Sequence, residues 1–114
     1  MSRKTERIVV ARDYSRYPMG RDDDDGPFNG QRFRKEFLIP LLRDPEVHKV
    51  VVDLRDLKIQ GSSFLEESFG GLVREGIKDE DLNKLSFITD RKYYELEIKE
   101  FIDKAKSDLQ KIAG

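Results

Sequence analysis

The sequence has no cysteine, no tryptophan and a single histidine, His48. Without thiols there can be no disulfide, no thiolate nucleophile, no zinc knuckle and no iron–sulfur ligation. It has no excess of either charge: 22 Lys and Arg stand against 23 Asp and Glu, for a net charge of −1. That balance excludes the strongly basic surface of a dedicated nucleic-acid binder. Long apolar runs are missing too. The longest, Phe37-Leu38-Ile39-Pro40-Leu41-Leu42, falls far short of a membrane span. The start, Met1-Ser2-Arg3-Lys4-Thr5-Glu6-Arg7, lacks the apolar stretch of a signal peptide. The expectation is a cytoplasmic protein with no membrane or nucleic-acid partner and no cofactor.

What is present is 114 residues, one domain's worth, of which 39% are charged and 37% hydrophobic. Seven Phe and four Tyr set the chain apart from an acidic disordered tail. A β-branched run at Ile8-Val9-Val10, extending to Ala11, reads as a strand. Residues 12–29, with Pro18, Gly20, four consecutive aspartates at Asp22–Asp25 and Gly26-Pro27, read as a long, solvated and mobile loop. Asn29 is an N-cap for a first helix, with Phe28 and Phe33 placed as a hydrophobic staple. The stripe Phe33, Phe37, Leu38, Leu41, Leu42 crosses Pro40, which has no amide for the Glu36 carbonyl, so a kink or an early end is expected there. The segment 49–54, with Val50-Val51-Val52, reads as a central strand buried on both faces. A second helix runs from Phe64 to about Glu75 with Leu65, Phe69, Leu72 and Val73 inward. Its Gly70-Gly71 pair costs roughly 1 kcal/mol per residue against Ala, which implies close packing against the sheet or a partner. Leu85–Ile88 is a third strand. A last helix, capped by Thr89 or Asp90, carries Tyr94, Ile98, Phe101, Ile102, Ala105, Leu109 and Ile112 at helical spacing. The order β-α-β-α-β-α gives an α/β fold, a small mainly parallel sheet of at least three strands with helices packed against it.

Ser63-Phe64-Leu65-Glu66 has the spacing of a capping box, the serine accepting from the amide three residues on and Glu66 reaching back. A phosphate on Ser63 would meet the free amides of a helix N-terminus and the repulsion of Glu66 and Glu67. A calcium loop counted from Asp22 should end in glutamate, but the twelfth position is Phe33. His48 reads as a surface residue before a strand, since the nucleophile-elbow pattern is absent. Arg32, Arg34 and Lys35 read as solvated helix surface.

The segment Val51-Val52-Asp53-Leu54, a short turn, and then Gly61-Ser62-Ser63-Phe64-Leu65-Glu66-Glu67-Ser68-Phe69-Gly70-Gly71-Leu72 resembles the STAS-like family of uncharacterised bacterial proteins. Gly20-Arg21, Asn29-Gly30-Gln31-Arg32-Phe33-Arg34 and the apolar run at 38–42 are similar to that family too. The likeness covers roughly residues 7 to 105 and implies a single STAS-like domain over 1–114. STAS domains are best known as anti-sigma factor antagonists and as regulatory domains of anion transporters. In the antagonists an Asp-Ser-Ser-Gly stretch opens a helix, and a histidine-kinase-like ATPase phosphorylates the second serine. The resemblance places Ser63 on that serine and Ser62 beside it. Gly61 stands where the antagonists have Asp and Phe64 where they have Gly, so the partner surface is altered.

Two functions follow as expectations. The first is a non-catalytic regulatory module that binds a protein, a histidine-kinase-like ATPase by analogy. Its surface would be built from Ser62, Ser63, Phe64, Glu66, Glu67, Gly70, Gly71 and Asp53, and phosphorylation at Ser63 would switch it. The second is a small metal-dependent enzyme using Asp53, at a strand's C-terminal end, with Glu66 or Glu67.

Overall fold

A computed structural model describes residues 3–113; positions 1, 2 and 114 of the expected domain lie outside that range. Three strands form one parallel sheet in chain order: β1 (Lys4–Val9), β2 (Val47–Asp53) and β3 (Leu85–Ile88). Ile8, Val52 and Phe87 lie in register, and so do Arg7, Val51 and Ser86. The first row faces the core. The second does not: Val51 is half-buried and Arg7 exposed. The three consecutive valines therefore alternate after all. Val50 and Val52 are buried on the covered face, and the expectation of burial on both faces is corrected.

The helices are α1 (Val10–Asp13), α2 (residues 30–42), α3 (residues 63–74), α4 (Asp79–Leu82) and α5 (Lys92–Ala113). Val10 turns into α1 rather than prolonging β1, so the loop begins at residue 14, not 12. The acidic turn α4, absent from the expectation, follows Lys78 with three carboxylates in its first turn. Helix α3 lies between α2 and α5 and buries Phe64, Leu65, Phe69, Leu72 and Val73 against Ile98, Ala105 and the sheet.

Helices α2 and α3 each widen in the middle into a π-helical segment, Arg34–Leu38 and Glu66–Gly70. The Ile39 amide reaches the Arg34 carbonyl, and the Gly71 amide reaches that of Glu66, each five residues back. In α2 the wide turn comes just before Pro40. The missing amide is met by widening, and the helix continues to Leu42. Asn29 caps α2 as its sequence implies, its side chain accepting from the Arg32 amide at 3.0 Å.

The 14–29 loop is a hydrogen-bonded structure. The Asp25 carboxylate accepts the Arg21 amide, Asp23 holds Asn29 and Arg32, and the amides of Gly30 and Gln31 return to the carbonyls of Gly20 and Arg21. The aspartate run is thus a folded turn whose four side chains are solvated, as expected. Tyr14 plugs it into the core. Its ring meets Phe28, Phe33 and Phe37 at 5.2–5.4 Å, and its hydroxyl donates to the Asn29 carbonyl at 2.7 Å. Burial raises the Tyr14 phenol to about 12. The expected staple between Phe28 and Phe33 closes through this third ring.

Candidate functional site

The residues singled out in the sequence separate into a locked interior and an exposed turn. Phe64, Gly70 and Gly71 are buried, so none of them presents a partner surface. Gly71 makes room for Arg34: a Cβ there would stand 2.1 Å from the guanidinium. Arg34 is itself buried, not solvated as expected. It donates to the Glu67 carbonyl and pairs with the carboxylates of Glu67 at 2.8 Å and Glu75 at 3.0 Å. Gly70 lies under the Glu66 carboxylate in the same way. Glu66 binds Arg74 through both oxygens and Arg21 at 2.5 Å. The bonds from Arg74, then those from Arg21, hold it below the ordinary glutamate range against the cost of burial.

The capping box does not form. Ser62 is the N-cap residue and makes no side-chain bond to the helix, and Ser63 is the first helical residue. Glu66 cannot reach back because its oxygens are taken by arginines. Ser62 and Gly61 are exposed and Ser63 half-buried, with Gly61 held at φ +72°.

Asp53 belongs to a different group. It ends β2 with its carboxylate buried between Arg7 at 2.8 Å and Arg55 at 2.8 and 3.0 Å, and it also accepts the Arg55 amide. Chiefly because of Arg55, it is held far below its usual 3.8 despite burial. It shares no ion-pair partner with Glu66 or Glu67. Among the described residues no three Asp, Glu or His converge to hold a metal. Asp53 and the two glutamates thus stand in separate ion-pair groups, and the pairing expected between them is not made.

No local pattern announces the furrow that runs along the C-terminal ends of the strands. Its first hollow, of about 400 Å³, is lined by Arg12, Arg16, Asp53, Arg55, Asp56 and Asp90. The next, of about 280 Å³, shares Arg16, Asp56 and Asp90 and adds Lys58 and Arg91. Asp56 takes a left-handed φ of +63° there, a conformation that Asp adopts more readily than most residues. Lys58 then opens onto an apolar hollow of about 290 Å³ with Tyr17, Pro18, Met19 and Gln60. The charged end is hidden in a single sequence because its residues come from three separated segments. The apolar end did leave a signal, Tyr17-Pro18-Met19 inside a polar loop.

A family model described as a STAS-like domain of unknown function matches residues 29–95. The chain belongs to this STAS-like family. The matched span runs from the cap of α2 through β2, α3 and β3 into α5. It takes in the Arg34–Glu67–Gly71 crossing. The two stretches that carried the resemblance thus touch each other, Arg21 and Arg34 from one gripping Glu66 and Glu67 from the other. No curated protein matches, and no solved structure matches. Among the described residues no helix is long and apolar enough to cross a membrane.

Proposed function

We propose that this STAS-like domain is a non-catalytic regulatory module, that it docks a protein partner through the turn between β2 and α3, and that charge at Ser63 switches its affinity. The observation that carries the reading is the contrast within the signature. Its phenylalanines, its glutamates and the Gly70-Gly71 pair are committed to packing and ion pairs, while Gly61, Ser62 and Ser63 form an accessible helix start with no side-chain cap. The first amides of α3 are free to receive an anion. The glutamates expected to repel a phosphate are balanced by Arg21, Arg34 and Arg74. A phosphoserine would therefore gain the amides without meeting two bare carboxylates. By analogy with STAS antagonists the partner is a histidine-kinase-like ATPase, and the setting is the cytoplasm.

The test compares wild type with Ser63→Ala and Ser63→Asp in quantitative pull-downs followed by mass spectrometry. The two variants should shift partner capture in opposite directions, and phosphopeptides should map to Ser63. Equal capture by both variants would end the switch reading.

A further inference from the structure

Tyr17, Met19 and Phe28 are 62%, 51% and 46% exposed, and all three lie on the 14–29 loop. They line one groove: the hollow between Tyr17, Met19, Lys58 and Gln60 adjoins a smaller one of about 70 Å³ between Tyr17, Met19, Pro27 and Phe28. Apolar side chains are normally exposed singly, and a contiguous group of them marks an interaction surface. The groove is not a loose flap. Pro18 beneath it is buried, the Lys58 amide donates to the Arg16 carbonyl at 2.9 Å, and the Met19 amide donates to the Phe28 carbonyl at 2.9 Å. Its two ends differ in charge, the basic one setting Arg16, Lys58 and Arg91 against Asp56 and Asp90. Arg16 and Lys58 stand at one end, and neither takes part in an ion pair among the described residues. The aspartate turn follows the other end: Asp23 is paired with Arg32, Asp25 and Asp22 accept the amides of Arg21 and Asp24, and Asp22 and Asp24 are exposed with no ion pair among the described residues.

We infer that this groove docks a short peptide segment of a partner protein, with an apolar anchor between Tyr17 and Met19, acidic side chains toward Arg16 and Lys58, and basic ones toward Asp22 and Asp24. The polarity of the flanks fixes the direction in which the segment lies, and the anchor supplies most of the affinity. The inference deepens the protein-interaction reading and rests on it. Lys58 and Gln60 lead directly into Gly61-Ser62-Ser63, so a segment in the groove lies beside the proposed switch.

The test is selection of phage-displayed random peptides on the full chain, followed by fluorescence anisotropy of the enriched peptide. Enriched sequences should carry an apolar anchor with acidic residues on one side and basic residues on the other. Tyr17→Asp should weaken binding by about tenfold or more, with the far-ultraviolet spectrum and melting unchanged. Lys58→Glu should weaken it less and be rescued by a peptide with lysine in place of its acidic residue. Ile112→Asp, outside the furrow, should leave binding unchanged. No enrichment, or binding within twofold of wild type for Tyr17→Asp, overturns the inference. So does a chain that self-associates and becomes monomeric on Tyr17→Asp, which would assign the groove to a second copy. Peptide binding that persists equally in Ser63→Ala and Ser63→Asp keeps the groove even if the switch fails. A partner still captured and switched through Ser63 by the Tyr17→Asp variant removes the groove alone.

Discussion

Asp53 ends β2 with a buried carboxylate held by two arginines that are themselves half in solvent. An isolated carboxylate could not be charged in that position. Four hydrogen bonds, from Arg7, the Arg55 guanidinium and the Arg55 amide, make the ionised form the stable one. Its folded-state acidity lies below the ordinary 3.8. The stability this contributes is therefore complete above the ordinary value and disappears as pH falls through it toward the lower folded-state one. Asp53→Asn should cost about 1–3 kcal/mol at neutral pH, and urea melts at pH 7, 4 and 2.5 should show the gap to wild type closing on the acid side. A gap that stays constant with pH would mean that packing, not charge, is what the residue supplies. The position of Asp53 at a strand's end was legible in the sequence. Its partners were not, because Arg7 comes from a neighbouring strand whose register no local pattern encodes. A carboxylate that looked like a free ligand is the closed centre of an ion-pair group.

At the scale of elements, α2 and α3 cross where each has a π-helical turn, and the crossing is filled by one guanidinium. Both glycines of the Gly70-Gly71 pair carry the same helix penalty, yet their environments differ. A methyl on Gly70 meets the far end of the Glu66 side chain, which can swing outward at the loss of partly exposed pairs with Arg74 and Arg21 worth up to about 1 kcal/mol each. The gain of about 1 kcal/mol in helix propensity offsets part of that. A methyl on Gly71 meets Arg34, which has nowhere to go without giving up Glu67 and Glu75. Gly70→Ala should stay within about 1 kcal/mol of wild type, whereas Gly71→Ala should lose about 2–4 kcal/mol, both read from chemical denaturation. Equal effects would place the constraint in the helix backbone rather than in Arg34. The glycine pair announced close packing in the sequence, correctly. What it packs against is a basic residue on another helix, which helical periodicity placed among the solvated ones because its neighbours Arg32 and Lys35 are charged.

Over the whole molecule, the alternation of strands and helices, the third strand and the inner stripe of α3 were readable because each rests on a local period. The errors concentrate where burial depends on what lies opposite. The apolar stripe of α5 is the plainest case. Tyr94, Ile98 and Ala105 are buried as their spacing implies, but Leu109 is 40% and Ile112 82% exposed. The period is kept, yet from Ser107 to Ile112 every residue is exposed. Periodicity reports which residues share a face and cannot report where the opposing layer ends. The last two turns should then contribute little. Their one ion pair back along the helix, Lys104 with Asp108, is exposed at both ends and worth less than about 1 kcal/mol. A chain ending at Ser107 should therefore lose less than about 1 kcal/mol, whereas Ile98→Ala in the full chain should lose about 2–5 kcal/mol through the cavity it opens under α3. Thermal and urea unfolding of the two proteins side by side decide the matter. A shortened chain as damaged as the Ile98→Ala variant would mean that the exposed end of α5 is covered in solution, with Leu109 and Ile112 part of a core that a single copy does not complete.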